Sequence, residues 1–516
     1  MSDMTDTGSI RKELTQRDEL SLYTRIASDP KPFLRWAVPM LVLIAVEFPT
    51  YAGIAVGTLD AAVIAVTGLL EVLLGLISTG LAQSVAGAQN AAVGVLRDAG
   101  GFVDGLPHLF SREVIPNQGY KAGPNGPWKG TFLGLEPAYA WALRALLIVA
   151  YALLTSYWVF QGWVVYRAHY READWTPTDD IVDNLRNHQW GKFGLLVLVL
   201  FLTMAVFGSA LGPTTVEQNI MSPYSDKIQY FNGETGTVDD IYPGQANFNS
   251  KSKGSAEFNV GPMSYDDYGR FHPFGTLTNG RDLFTFMMGG ARITLMVAGI
   301  AIGGAALVAA LLSMISAYYG GSVDLAVLTT ADGVVSIPRL LLLILISAVF
   351  ANHWLGNVLN GGFLLALIFA FTTWPFLWRA VRGPALQVAQ EEWILAAKSY
   401  GQQPRKIMRK HMFPYIVGYL LVYASMSAGG IIIGLAALSF LGNGLGISPP
   451  TPAWGRAISM GQDYVSSPSW HISMIPGLMI VLLVTGLNAL GDGIRDAIDP
   501  EAGSTEGEEA AAGGGG

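Results

Sequence analysis

The chain has 516 residues, of which 51% are hydrophobic and only 14% are charged, and its mean hydropathy is +0.38. A soluble globular chain carries about 25% charged residues, so this composition excludes an ordinary soluble domain and indicates an integral membrane protein. The chain has no cysteine, which excludes disulfides, a thiol nucleophile and thiolate metal ligands. The formal net charge is −8, which a salt-loving organism and ordinary acidic loops explain about equally well.

The first segment, residues 1–33, is polar and mixed in charge. It is too long and too acidic for the start of a signal peptide, so we expect a retained cytoplasmic segment. A span needs about 20 mostly apolar residues, and the first such stretch is 36–56, although Glu47 and Pro49 interrupt it. An ionisable residue inside a span is a candidate for function. We favour the plainer interpretation, in which Glu47 faces the bundle interior or lies near the interface beside a proline kink.

Residues 59–110 are apolar but rich in glycine, alanine and serine, with scattered charges. They are compatible with one span, two spans or helices lying on the membrane surface. A loop with many turn residues follows at 114–131. If the N-terminus is inside and this loop is outside, an odd number of crossings precedes the loop. We favour one crossing, at 36–56, with 59–110 on the outer surface; three crossings are the alternative.

The next elements alternate between spans and polar segments. A span at 137–166 ends in the cytoplasm, because Arg167, His169 and Arg171 follow it. A polar linker is predicted at 179–190, followed by a span at 192–211 that runs outward. The polar stretch that comes next has more acids than bases, is predicted to lie outside, and has a composition that allows short strands. Five more spans are predicted at 293–317, 334–351, 361–377, 415–441 and 471–490.

These elements predict an all-α integral membrane protein. A six-helix core at 183–500 is preceded by a membrane extension at 34–182 with about two extra transmembrane helices. The core contains a polar outer insertion at 212–282, and the acidic, glycine-rich tail at 501–516 is expected to be disordered. In the 415–441 span, Gly430 and Gly434 have a spacing that permits close helix contact.

The loop at 379–414, between two predicted spans, is strongly basic and therefore predicted to face the cytoplasm. Residues 391–400 are good helix formers. Gly401 favours the left-handed conformation that ends a helix, and Pro404 suits the first position of a second helix. The pattern predicts a helix, a turn and a helix, and the small side chains of Ala396 and Ala397 leave room for a partner. An ordinary basic loop between two spans is the plainer alternative.

This loop resembles the "EAA" coupling loop of ABC importer permeases. The coupling-loop residues assigned from the resemblance are Glu392, Ala396, Ala397, Gly401, Ile407, His411 and Pro414. One position departs from the family, because Leu395 stands where a glutamate often precedes the two alanines.

Two outer segments carry the same resemblance, in the family's order along the chain. The outer family motif comprises His272, Gly275, Gly280, Arg281 and Asp282, and the outer-loop residues are Pro450, Trp454 and Gly455. Leu277 and Leu435 replace acids that are common in the family. From residue 183 to residue 500 the chain is similar to the second permease subunit type of dipeptide/oligopeptide (and nickel) importers. The extension at 34–182 lies outside the resemblance.

The resemblance implies a type I ABC importer permease that forms half of a translocation path for dipeptides or oligopeptides. It implies a heterodimer with a homologous permease, two ATPase subunits that hold ATP and magnesium and dock on the coupling loop, and an extracytoplasmic substrate-binding protein. The implied location is the lipid bilayer of the cell membrane, with both termini cytoplasmic. Nucleic acid is not an expected partner.

The sequence contains no phosphate-binding loop and no His-Glu-x-x-His motif. We therefore expect a transporter subunit, not an enzyme, with no catalytic residue, metal site or cofactor of its own. The alternatives are a permease for another solute such as nickel or a sugar, a non-importing ABC membrane subunit such as an exporter or channel, and a subunit of an energy-converting complex. The last is disfavoured, because 293–317, 361–377 and 415–441 lack the charged residues that proton relays use.

Overall fold

The computed structural model describes residues 21–75, 78–171, 177–350, 353–356, 358–442 and 445–498. Most of the predicted N-terminal segment and all of the predicted disordered tail therefore lie outside the described residues. The elements of the extension are α1 (Leu22–Ser28), α2 (Pro30–Val46), α3 (Phe48–Gly75), α4 (Thr79–Asp104), β1 (Tyr120–Lys121), β2 (Trp128–Lys129) and α5 (Pro137–His169).

The later part of the chain forms the helical bundle and the insertion. Its elements are α6 (Pro177–Asn187), α7 (Gln189–Leu211), β3 (Ile228–Asn232), β4 (Thr237–Ile241), α8 (Pro243–Asn249), β5 (Ser264–Tyr265), β6 (Phe271–His272), α9 (Leu283–Tyr319), α10 (Gly321–Ser336), α11 (Arg339–Val349), α12 (Gly362–Ala389), α13 (Glu392–Ser399), α14 (Pro404–Ile407), α15 (Phe413–Leu441), α16 (Trp454–Gly461) and α17 (His471–Ile498). Each sheet pairs two neighbouring strands in antiparallel register: β1 with β2, β3 with β4 and β5 with β6.

Seven helices of the described chain are long and apolar enough to cross a membrane: α3, α5, α7, α9, α12, α15 and α17. The helices α10 and α11 together make an eighth candidate, bent by 81°. Counting that pair as one span confirms the predicted six-helix core; by length and composition alone, α3 and α5 are the candidates before it. The bounds predicted for the 334–351 span were wrong. Helix starts earlier, at Gly321, and breaks at Ile337–Pro338, because proline cannot continue the hydrogen bonding of the preceding helix.

The bundle has two ends, which we name by the segments they carry. The insertion end carries residues 212–282, and the loop end carries the interhelical loop at 390–412. Buried side chains form one cluster towards the insertion end, with Phe110, Phe286 and Trp454, and another towards the loop end, with Trp378 and Ile407. Close helix contact in the bundle uses glycine: an added Cβ on Gly434 would lie 2.8 Å from the Phe369 ring, whereas Gly430 faces open space. The spacing thus permits one close contact within this chain, at Gly434, and a contact of Gly430 with another chain stays a prediction.

The first predicted span, 36–56, is also corrected. The helix that passes along the bundle is α2, which starts beside Tyr170 at the end of α5 and runs antiparallel to α5. Trp36 and Trp158 each donate an indole N–H to the other's carbonyl oxygen, both at 2.9 Å. The helix ends at Glu47, whose buried carboxylate accepts the backbone N–H of Phe110 at 2.7 Å and the hydroxyl of Thr50 at 2.8 Å. Glu47 thus faces the interior, as expected, but it divides two helices.

The long hairpin of α3 and α4 begins and ends at the insertion end, where the Leu109 N–H bonds the Val46 carbonyl at 3.3 Å. Its first helix passes successive core helices near that end. Tyr51 contacts Phe207 of α7, Gly57 faces Arg292 of α9, and Gly68 packs against the Trp354 ring before α12. Length and composition would also allow α3 to cross a membrane, but these contacts favour a hairpin that lies across the insertion end.

The predicted polar linker at 179–190 is mostly helical, since it contains most of α6 and the start of α7. Asn184 of α6 donates to the carbonyl of Ala497 at 3.3 Å, so the helix packs on the end of α17. The insertion contains the short strands that its composition allowed, the longest being the β3–β4 hairpin.

Candidate functional site: the interhelical loop and the insertion-end motif

The interhelical loop has the predicted helix–turn–helix form. Helix α13 ends at Ser399, and Gly401 has φ +70°, the left-handed conformation for which glycine is suited. Helix α14 starts at Pro404, which needs no N–H partner there, and a π-helical turn, Met408–Met412, leads into α15. The loop proper is shorter than the predicted 379–414, because residues 379–389 still belong to α12.

The loop is anchored to the bundle by apolar side chains. Ile394 and Ile407 are fully buried in the loop-end cluster, with Met412 beside them. The Lys398 ammonium lies 4.4 Å from the centre of the Tyr318 ring at the end of α9, a cation–π contact. Displacement of the loop must therefore displace the helices to which it is packed, since a close-packed interior transmits strain.

The opposite face of the loop is exposed and largely apolar. Tyr400 is 91% exposed, Trp393 49% and Leu395 50%, and Ala396 is exposed between them. We call Trp393, Leu395, Ala396 and Tyr400 the loop patch. The basic residues that border the patch are exposed too: Arg405, Lys406, Arg409 and Lys410. An exposed apolar patch with a charged border is typical of a protein interaction site.

The predicted site residues of this loop divide between the two faces. Glu392 and Pro414 are exposed, and His411 is half-buried. Ala397, which we expected to leave room for a partner, is half-buried and packs on the loop-end cluster. Its small side chain therefore serves the chain's own packing, and Ala396 is the alanine that a partner can reach.

Two basic residues of the predicted loop are fixed by ion pairs on α12. Arg382 binds Asp324 of α10, with one N–O distance of 2.8 Å, and Arg379 binds Asp332. The positive charge from which this segment was predicted to face the cytoplasm is thus partly neutralised within the chain. The cations free to interact with another molecule are those around the loop patch.

At the insertion end, the family motif forms a buried polar network. Nδ1 of His272 lies 2.8 Å from a carboxylate oxygen of Asp282, and Nε2 lies 3.4 Å from Asp266. Asp282 also accepts the N–H of Thr285 at 2.6 Å and so caps the start of α9. Burial alone would lower the pKa of His272, but hydrogen bonds and charge from the two carboxylates outweigh it and raise that pKa. The Arg270 guanidinium and His272 hold the pKa of Asp266 well below its usual range despite burial.

The glycines of the motif are required by geometry. Gly275 and Gly280 have φ near +76° and +77°. A Cβ on Gly280 would lie 1.7 Å from the Asn247 carbonyl oxygen, which no rearrangement of a side chain would relieve. Arg281 is partly exposed at the edge of this network. Leu277, which replaces an acid of the family, is fully buried in the insertion-end cluster.

The outer-loop residues differ in environment. Trp454 is buried, and its indole N–H donates to the Met287 carbonyl at 2.9 Å, which ties α16 to α9. A Cβ on Gly455 would lie 1.9 Å from the Ala436 carbonyl oxygen, so only glycine allows α16 to approach α15 this closely. Pro450 is exposed.

Sequence reasoning missed the residues by which the extension holds the core. Arg144 of α5 is buried and donates to the carbonyls of Ala210 at 2.7 Å and Ser111 at 3.0 Å. Arg112 donates to the carbonyl of Gly212 at 2.8 Å, and Trp141 to that of Leu211 at 2.9 Å. These donors satisfy the last carbonyls of α7, which have no partner within the helix. The sequence signal that could have indicated this contact is Arg144 itself, a charged residue inside the predicted span at 137–166.

The extension loop and the insertion also bound a cavity of about 230 Å³ at this end. Asn117 and Tyr120 line it from the extension, and Gln229 and Tyr268 line it from the insertion. Its walls include His272 and Asp282 of the motif. The extension is therefore packed on the same surface that carries the family motif.

The fold and the loop together define a class of protein. A multi-span helical bundle with an anchored, exposed interhelical loop fits a membrane subunit that acts with other proteins in transport. Within the described residues no group of three or more His, Cys, Asp or Glu side chains is placed to hold a metal ion.

Comparison with known proteins identifies the family. Residues 294–503 match the family "Binding-protein-dependent transport system inner membrane component". The dipeptide transport system permease protein DppC of Alkalihalophilus pseudofirmus is 36% identical over 230 residues, which is 45% of this chain and 72% of the relative. The glutathione transport system permease protein GsiD of Escherichia coli O157:H7 is 36% identical over 231 residues, 45% of this chain and 72% of the relative.

A third relative aligns over more of the chain. The DppC protein of Bacillus subtilis is 29% identical over 326 residues, 63% of this chain and 86% of the relative. The chain belongs to the family of binding-protein-dependent transport system inner membrane components. It is a permease subunit of an ABC transport system.

Proposed function

We propose that the chain is one of two homologous permease subunits of an importer for dipeptides or oligopeptides. The relatives named above are permeases of dipeptide and glutathione systems, which supports a peptide as the solute. The observation that carries the proposal is the loop patch, an exposed apolar surface held rigidly by Ile394 and Ile407. The translocation path lies between this chain and its partner permease.

The loop patch docks on a cytoplasmic ATPase subunit, and two such subunits serve the complex. ATP and magnesium are bound there, and this chain contributes no catalytic residue. ATP-driven movement of the ATPase displaces α13 and α14. The buried anchors pass this movement to α9, α12 and α15, because packed elements shift between discrete arrangements.

In this proposal the loop end faces the cytoplasm and the insertion end faces outward. The basic border of the loop patch supports this orientation. An extracytoplasmic binding protein docks on the insertion end and delivers the solute. With α2 as one crossing and the α3–α4 hairpin on the outer surface, both termini are cytoplasmic.

The absence of cysteine in this chain makes a clean test possible. Ala396→Cys and Glu234→Cys each introduce a single thiol, the first in the loop patch and the second at the exposed tip of the β3–β4 hairpin. In the assembled complex, we expect a bifunctional crosslinker to join Ala396→Cys to the ATPase and Glu234→Cys to the binding protein.

A membrane-impermeant maleimide applied to intact cells provides the matched control. It should label Glu234→Cys and leave Ala396→Cys unlabelled until the cells are opened. Crosslinking of Glu234→Cys to the ATPase, or labelling of Ala396→Cys from outside, would contradict both the orientation and the assignment of the loop patch.

A further inference from the structure

One arginine of the core lies at a depth where charge is costly. Arg339 starts α11, just after the 81° bend, and donates from Nη2 to the Thr373 hydroxyl at 3.1 Å. Thr373 is about 16 Å along α12 from its start, at 1.5 Å per residue. The Arg339 guanidinium also lies 5.3 Å from the centre of the Phe369 ring.

The contacts of α10 and α11 with α12 show how the bend sets this depth. Asp324 and Asp332 pair with Arg382 and Arg379, near the loop end of α12. After the bend, Arg339 reaches Thr373, which lies six residues before Arg379 and nine before Arg382, about two turns further towards the insertion end. The break between α10 and α11 therefore places the start of α11 near the middle of the bundle.

The guanidinium of Arg339 is incompletely paired. Among the described residues, its buried Nε has no hydrogen-bond partner. Within the part of the chain that the structure describes, no carboxylate lies within 4 Å of it, in contrast to Arg379 and Arg382. No described side chain caps the start of α11, so the partial positive charge of that helix end adds to the same field.

The Thr373 hydroxyl and the Phe369 ring leave the charge of Arg339 unneutralised. Water or an anion would stabilise this charge further, because hydrocarbon solvates charge poorly. Arg339 is half-buried, and the leucines that follow it, Leu340 and Leu341, are exposed. Because hydrocarbon solvates charge poorly, the accessible part of the Arg339 guanidinium is better stabilised by another protein surface or an aqueous path than by lipid tails. A carboxylate matches the planar fork of guanidinium N–H donors.

We infer that Arg339 binds a carboxylate of the solute as it passes the middle of the membrane, on the path between the two permeases. The inference rests on the proposed function and names the chemical group that the path recognises. For a dipeptide, that group is the C-terminal carboxylate, which is ionised at neutral pH.

The test compares uptake of a labelled dipeptide with uptake of the same dipeptide as its C-terminal amide. Proteoliposomes contain the full complex with wild-type chain, Arg339→Gln, Arg339→Lys or the control Arg495→Gln, which removes an exposed cation from α17. We expect Arg339→Gln to lower kcat/KM for the free acid tenfold or more while leaving the amide unchanged. Arg339→Lys should restore part of the loss, since lysine keeps the charge without the fork.

The outcomes separate this inference from the proposed function. Wild-type uptake of the dipeptide with no selective loss in Arg339→Gln overturns the inference and leaves the proposed function intact. Equal loss for acid and amide, together with poorer recovery of the partner permease, would assign Arg339 to a carboxylate of that partner and also overturn it. No uptake of either compound by the wild-type complex, with ATPase activity present, contradicts the peptide substrate and the inference together.

Discussion

The turn at Gly401 allows the coupling mechanism to be tested through backbone geometry alone. With φ +70°, this residue has a conformation that costs an L-residue about 1–2 kcal/mol. A Cβ built at Gly401 meets no atom within 4 Å, so a substitution acts through the backbone and not through a clash within the chain. A cost of about 1–2 kcal/mol lowers the population of the native turn about 5- to 30-fold relative to its alternatives.

The series Gly401→Asn, Gly401→Ala and Gly401→Pro should therefore show graded uncoupling. Asparagine tolerates the left-handed region and should be close to wild type, alanine should be intermediate, and proline, fixed near −65°, cannot form the turn. The assay measures solute taken up per ATP hydrolysed in proteoliposomes, with the amount of chain in the membrane as the control. Normal coupled uptake by Gly401→Pro, or equal losses in the asparagine and proline variants, would refute the reasoning.

Three further predictions concern burial and pH. The pKa of His272 is raised in the folded state. Its stabilising effect is therefore complete below its unfolded pKa of about 6.5 and is lost as the pH rises through the higher folded value. The Tm of His272→Gln should lose this dependence on pH, and an unchanged slope of Tm against pH would contradict the role of His272. The Tyr400 side chain is 91% exposed, so Tyr400→Ala should weaken ATPase binding tenfold or more without lowering the Tm of the isolated chain. A lowered Tm would mean that Tyr400 stabilises the fold of this chain. Glu47→Ala leaves the Phe110 N–H without its acceptor and should destabilise the folded chain by about 1–3 kcal/mol, measured as a lowered Tm. Glu47→Gln keeps an acceptor oxygen and should lower the Tm less. Equal losses in the two variants would contradict the role of the hydrogen bond.

Features determined by local sequence were predictable. The long apolar stretches gave most of the candidate spans, and the helix–turn–helix of the interhelical loop followed from Gly401 and Pro404. Bounds were less accurate where proline occurs inside a helix. Pro375 and Pro384 lie within α12, whereas Pro338 lies at the break between α10 and α11.

Features determined by distant contacts were not predictable. Glu47 lies at the end of α2, where its carboxylate accepts the N–H of Phe110, 63 positions further along. The difference between Ala396 and Ala397 depends on which face of α13 meets the loop-end cluster. The position of Arg339 near the middle of the bundle depends on a bend whose angle local sequence does not specify. Each of these three features is determined by the packing of the helices in the bundle and not by the neighbouring sequence.

The measurement that tests the central claim most directly is ATP-dependent uptake of a labelled dipeptide into proteoliposomes. The vesicles hold this chain, its partner permease and the two ATPase subunits, and uptake is compared with and without the binding protein on the outside. We predict uptake that requires both ATP and the binding protein and that is lost in Gly401→Pro. Uptake that proceeds without the binding protein, or outward transport of the dipeptide, would contradict the account.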